Sequence, residues 1–163
     1  MTIRPATAAD LPAIGSIAHA AWPMAYAGIL SPAQLEYMLE RMYSRSALLE
    51  QSTTLGHRFL LAESDGMSIG FAGYAHQHKP GRTRLHKLYV LPRVKGSGVG
   101  HALLEAALQA AHAAGDMFVE LNVNKYNPAK DFYRRHGFTV ERDEVIDIGE
   151  GYVMDDHVMV KVL

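Results

Sequence analysis

The chain has 163 residues, 48% of them hydrophobic and 20% charged, with a formal net charge of −1. These values describe an ordinary folded domain long enough for its own core, and they exclude a nucleic-acid or membrane-surface binder that works through bulk charge. There is no cysteine, which excludes disulfides, thiolate metal sites and any mechanism passing through a cysteine-bound intermediate.

Residues 3–5 predict a short first strand. Asp10 is placed to cap the helix that follows, with Pro12 in its first turn and Leu11, Ile14, Ile17 and Ala18 on one face. Residues 19–31 read as irregular and aromatic, and Ser31-Pro32 then opens a second helix whose apolar face carries Leu35, Met38, Leu39, Met42 and Tyr43. A stretch this rich in Trp, Tyr and Met either closes the core or shapes a substrate pocket, and Trp22 and Tyr26 are its candidate substrate contacts. Residues 58–63 and 68–75 read as a hairpin around Ser64-Asp65-Gly66. His76 and His78 alternate as metal ligands can, but no carboxylate or thiol joins them, so no metal site is expected.

Residues 83–90 form the next strand, and Gly96, Gly98 and Gly100 follow it directly. The helix over residues 99–114 carries Leu103, Leu104, Ala107, Leu108 and Ala111 at core spacing and closes at Gly115. Strand, glycine loop and helix start make a place attractive to phosphate, because the first amides of a helix lack partners and its dipole is positive there. Glycines let the chain adopt positive φ and come close to a ligand. The same glycines equally suit a plain turn into a helix, so the flanking sequence has to decide.

Residues 117–123 form another strand. Asn127 with Pro128 opens a helix over residues 129–136 that Gly137 closes, and residues 138–148 and 152–162 are the final strands. The order β-α-α-β-β-β-α-β-α-β-β, with no repeat or linker, predicts one α/β or α+β domain over residues 1–163, a mixed sheet with helices on its faces. The first residues hold no apolar signal core and no stretch is long enough to span a bilayer, so a cytoplasmic protein without membrane or nucleic-acid partners is expected.

Two separated stretches resemble one family, the GNAT superfamily of acetyl-CoA-dependent N-acetyltransferases. Leu88-Tyr89-Val90-Leu91-Pro92 through Gly98-Val99-Gly100-His101-Ala102-Leu103-Leu104 is similar to the family's strand, its Gln/Arg-x-x-Gly-x-Gly/Ala pyrophosphate loop and its helix. Asn124-Lys125-Tyr126-Asn127-Pro128-Ala129 through Phe132-Tyr133 and Gly137-Phe138 is similar to the family's Asn-x-x-Ala, Phe-Tyr and Gly-Phe segment. Two positions depart from the pattern. Lys95 stands at the Gln/Arg position, keeping a cation but not the planar fork of arginine, and Tyr126 stands where many members carry asparagine, which leaves that role to Asn124 or Asn127.

The resemblance implies a GNAT-like single domain, a mostly antiparallel central sheet of about seven strands flanked by about four helices, with acetyl-CoA as cosubstrate. Leu88, Tyr89 and Val90 would line the pantetheine arm. Lys95, Gly96, Ser97, Gly98, Val99, Gly100 and His101 would hold the pyrophosphate, with Asn124, Asn127, Ala129 and Tyr133 completing the cofactor side. It also implies direct transfer to an amine of a small molecule or peptide, with the Leu88 amide facing the developing oxyanion and Tyr133 protonating the departing thiolate. Family members are often homodimers, and nothing in this sequence fixes the oligomeric state.

The base that frees the amine has two candidates. His86 stands two residues before Leu88, where some relatives place a glutamate, and a histidine suits the role at neutral pH, although it equally suits a satisfied strand face. Glu120 on the neighbouring strand is the second candidate, and Asp156 is a candidate contact for a cationic substrate that also fits a solvated strand end. Two other classes compete. A dinucleotide-dependent oxidoreductase would use Gly96, Ser97 and Gly98 with Glu120 as its ribose acid, but His101 fills its third glycine position. The other is an acyl-CoA-binding sensor without catalysis, against which Tyr133 argues.

Overall fold

Apolar alternation at period two builds seven strands, and apolar stripes at helical spacing build five helices that cover them. The computed structural model describes all residues, 1–163. In chain order the elements are β1 (Thr2–Pro5), α1 (Leu11–Ala25), α2 (Pro32–Tyr43), α3 (Arg45–Thr53), β2 (Arg58–Ser64), β3 (Met67–Lys79), β4 (Arg82–Val90), α4 (Val99–Ala113), β5 (Phe118–Asn124), α5 (Ala129–Arg135), β6 (Thr139–Gly149) and β7 (Tyr152–Val162). They form one seven-stranded sheet of order β1-β2-β3-β4-β5-β7-β6. Only the β4–β5 pair is parallel.

The sheet buries a core on each face. On one, α4 packs Leu103, Leu104 and Ala111 against Leu85, Val119, Leu121 and Met159. On the other, α1, α2 and α3 enclose Trp22, Tyr26, Tyr43, Leu48, Phe59 and Phe71. The tip of the β6–β7 hairpin is tied to α2, where the Tyr37 hydroxyl donates to the Ile148 carbonyl at 2.7 Å and Gln34 Nε2 donates to the Val153 carbonyl at 3.0 Å.

Two expectations are corrected. Residues 19–25 are helical rather than irregular: α1 runs through Pro23, because Ala18, Trp22 and Tyr26 at i, i+4 spacing bury one continuous stripe, which outweighs the amide lost at the proline. Helix α3 adds a fifth helix to the expected four. It buries only Leu48 and Gln51 and starts at Ser44, whose hydroxyl accepts from the Ala47 amide at 3.2 Å, so its apolar pattern is faint. Strand β3 runs to Lys79 and stops at Pro80-Gly81 as expected, with His78 exposed at its end and His76 Nδ1 2.8 Å from the Thr83 hydroxyl.

The sheet is irregular at one functional place. Gly73 pairs with Lys87 while Tyr74 pairs with Leu85, so His86 is an extra residue, a β-bulge, in β4. Leu85 and Leu88 therefore share the α4 face, while Lys87 and Tyr89 turn to the other core, Lys87 lying over the rings of Tyr43 and Phe59. The parallel ladder with β5 ends at the same point, with Leu85 against Leu121. Strand β5 stays paired with β7 as far as Asn124 and Asp156. Past the bulge the two strands part into a V, bounded by residues 86–90 on one side and 122–124 on the other.

Candidate active site

The chain leaves β4 through a 3₁₀ turn at Pro92–Val94 and enters α4 across the glycines. Gly96 and Gly98 have φ of 85° and 91°, which non-glycine residues rarely adopt, and a Cβ at either would meet no atom within 4 Å, so the surface there is open. Gly100 is different: it is helical, and its Cβ would rest 3.8 Å from the Phe132 ring. The first intrahelical bond of α4 runs from the Ala102 amide to the Gly98 carbonyl at 3.0 Å, so the amides of Val99, Gly100 and His101 stand ahead of it. Lys95 and Ser97 are exposed beside them. His136 Nδ1 donates to the Phe132 carbonyl at 2.7 Å, which leaves its Nε2 to accept from His101 Nδ1 at 2.8 Å. Free amides, the positive helix end and one lysine suit a pyrophosphate.

Helix α5 is set by two asparagines. Asn124 Oδ1 accepts from the Tyr126 amide and Asn127 Oδ1 from the Ala129 amide, both at 2.9 Å, so these side chains shape the turn. That turn delivers Tyr133 to a buried position, with its ring 5.7 Å from Phe138. The hydroxyls of Tyr26 and Tyr89 meet at 2.9 Å, and Tyr133 lies close enough to act on the ionisation of Tyr89, as Tyr26 does on that of Tyr133. Burial pushes Tyr26 up to about 12 and holds Tyr89 and Tyr133 well above the ordinary tyrosine value, so all three stay protonated. Trp22 is 1% exposed, with its ring 4.7 Å from Tyr26 and 5.6 Å from Tyr89. It packs beneath the tyrosines, and the Tyr26 hydroxyl reaches Tyr89 on the strand that bounds the V.

The candidate bases lie on the face of the sheet that carries α1. His86 stacks on His57 with ring centroids 4.0 Å apart and faces His78 edge-on at 5.8 Å. Burial, then the neighbouring cations, push His86 down to about 2. An imidazole with that value stays neutral and takes up no second proton near neutrality, a poor match to a general base. Glu120 is 0% exposed, with Lys79 Nζ at 3.5 Å, Arg82 Nη1 at 3.4 Å and Arg84 Nη1 at 3.8 Å. Three cations surround it, and Arg82 also forks onto Glu141 at 3.0 and 2.8 Å.

Asp156 is 4% exposed and forms no ion pair within 4 Å; its one side-chain partner is Asn122 Nδ2, 3.3 Å from Oδ2. Burial raises it above the usual carboxylate value. Asn122, Arg84, His57 and Lys87 are the residues that reading the sequence passed over. Asn122 had a signal: Glu120, Asn122 and Asn124 alternate with Val119, Leu121 and Val123, so a buried strand shows one fully polar face. No group of three or more His, Cys, Asp or Glu is arranged to hold a metal, and no helix is long and apolar enough to cross a membrane.

A slot between parted strands, running from an anion-ready turn to a buried phenol, is what a CoA-dependent acyltransferase needs. The chain belongs to the acetyltransferase (GNAT) domain family, whose family model matches residues 27–153. It is 28% identical over 155 residues to an uncharacterized N-acetyltransferase of Mycobacterium tuberculosis, covering 94% of this chain and 98% of that one. It is 37% identical over 86 residues to the peptidyl-lysine N-acetyltransferase YjaB of Escherichia coli, covering 52% and 51%. The PaiA N-acetyltransferase of Thermoplasma acidophilum, solved with coenzyme A, superposes with a TM-score of 0.81 at 26% identity over the whole of both chains. The protein is an acetyl-CoA-dependent N-acetyltransferase.

Proposed function

We propose that the protein moves the acetyl group of acetyl-CoA directly to a primary amine of a small molecule or peptide, within a ternary complex and with Tyr133 as general acid. The observation that carries this reading is the buried, protonated Tyr133 hydroxyl beside the open V. Bound there, acetyl-CoA supplies an acetyl group already activated as a thioester. The free amides at the start of α4 and Lys95 hold the pyrophosphate, and residues 88–90 line the arm. The Leu88 amide stabilises the charge that gathers on the acetyl oxygen. Tyr133 gives its proton to the leaving sulfur, and without cysteine no acetyl group rests on a protein thiol in between. The likeness to a peptidyl-lysine acetyltransferase supports an alkylamine acceptor.

The test is release of free thiol from acetyl-CoA across a panel of amines that includes lysine peptides, amino-acid amides and polyamines. Tyr133→Phe should lower turnover about 10²- to 10⁴-fold, the usual yield of a positioned proton donor, and keep acetyl-CoA affinity within about twofold. Full turnover in Tyr133→Phe would remove Tyr133 from the mechanism. Tight acetyl-CoA binding with no turnover of any amine by the wild type would make the protein a sensor of acyl-CoA.

A further inference from the structure

Four buried side-chain atoms near the mouth of the V have no hydrogen-bond partner: Arg84 Nε, Glu120 Oε2, Asn122 Oδ1 and Asp156 Oδ1. Folded chains complete such atoms with ordered water, an ion or a ligand, and at an open cleft a ligand can take the water's place. Glu120 is charge-compensated by its three cations, so its free oxygen is not calling for another. Asp156 has no cation within 4 Å, and Arg84 acts on it only from farther away. It is nine-tenths buried, with Oδ2 on the Asn122 amide and Oδ1 on nothing.

Its place in the fold matters as much. Asn122 is the first β5 residue beyond the last β4–β5 pair, and Asp156 lies across from Asn124 on β7, so both stand where the sheet has opened. The Asp156 charge acts on the Tyr26 hydroxyl, which joins Tyr89, which in turn lies near Tyr133. The carboxylate is therefore joined through Tyr26 and Tyr89 to the side of the V where Tyr133 lies. The charged and titratable groups facing it are Arg84 from β4, Glu144 from β6, Asp155 beside it on β7 and Tyr26 from α1.

We propose that Asp156 Oδ1 receives the acceptor as an ammonium ion and takes its first proton, while Asn122 Oδ1 holds a second N–H of the same nitrogen. This rests on the amine-acetylation reading above and narrows the acceptor to primary alkylamines that arrive charged, as against arylamines or hydroxyl compounds. The balance closes. One N–H bond of the ammonium breaks and an O–H bond forms on Asp156. The freed lone pair makes the N–C bond as the C–S bond breaks, and the sulfur leaves with the Tyr133 proton. The nitrogen's second proton restores Tyr133, and Asp156 returns its own to solvent. A free alkylamine titrates near about 10, so a neutral-pH enzyme needs this first removal.

The test uses the full chain. Asp156→Asn keeps the shape and the Asn122 contact, and should leave acetyl-CoA affinity within about twofold. It should cut kcat/KM for a primary alkylamine at least about 100-fold at pH 7, and much less near pH 10, where solution already supplies the free amine. Arylamine turnover, weak in the wild type, should change little. An Asp156→Asn rate equal to wild type at pH 7, or a loss of the same size at both pH values, would overturn the proposal. If the wild type acetylates no amine, the catalytic reading fails on its own, and binding still judges the subsite. Butylammonium, but not butanol, should raise the melting temperature of the CoA-bound wild type. Equal effects of the two probes would overturn the ammonium assignment even if Asp156→Asn does not fold.

Discussion

The imidazoles of His57 and His86 stack 4.0 Å apart and 17° from parallel, joining the start of β2 to the bulge in β4. Burial first, and then the nearby Lys87 and Arg84, push His57 down to about 4 and His86 to about 2. The unfolded chain takes up protons near about 6.5 that the folded chain refuses. Stability is therefore complete above that value and falls as pH drops through 6 toward 4. The melting temperature should be flat from pH 8 to 7 and decline below about 6.5, and His86→Phe should make the decline shallower. Because His86 takes up no second proton near neutrality, the same variant should keep whatever near-neutral ionisation the wild-type pH–rate profile shows.

The glycines of the loop should separate cleanly on substitution. At Gly98 an alanine would sit at φ of 91°, a conformation that costs an L-residue about 1–2 kcal/mol, and its methyl would project into open space beside the free amides. Gly98→Ala is expected to weaken CoA binding at least tenfold and lower the melting temperature by a few degrees. Gly100→Ala meets only the ordinary 3.8 Å contact with Phe132 and gains up to about 1 kcal/mol of helix propensity. It should be as stable as the wild type or more so. Calorimetric titration with CoA beside thermal melts reads both.

Glu120→Gln should act on stability. Removing the charge leaves Lys79, Arg82 and Arg84 around a neutral buried group, with only Arg82 having another partner, Glu141. The three cations left behind are all partly exposed, so the loss reflects lost charged hydrogen bonds, and urea unfolding should show about 1–3 kcal/mol. The affinity for CoA, held on the far side of the V, should stay within about twofold.

Much of this was legible in the sequence because it rests on short-range signals. The strand, glycine turn and helix over residues 88–104 were readable from Pro92, the alternating glycines and the Leu103–Leu104 stripe. The turn into α5 was readable from Asn127-Pro128. What escaped depends on partners distant in the chain. Pro23 reads as a breaker until Trp22 and Tyr26 are seen buried against Tyr43 and Tyr89. His86 resembles a free base until His57, some thirty residues earlier, covers it. Asp156 reads as a strand end facing water until Asn122 is found against it and no cation is found within ion-pair distance. Burial and missing partners are properties of the assembled sheet, and no local pattern encodes them.

The bulge at His86 amounts to a spacer that keeps the sheet from zipping shut. Leu85 and Leu88 already face one core, and Lys87 and Tyr89 the other. Excising His86 would return β4 to plain alternation without moving any of these side chains to the wrong face. Strand β4 would then be free to continue its ladder along β5 toward Asn124. The shortened chain would have the more regular sheet and nowhere to put its cosubstrate. One residue's worth of slack is the difference between a closed scaffold and a catalyst.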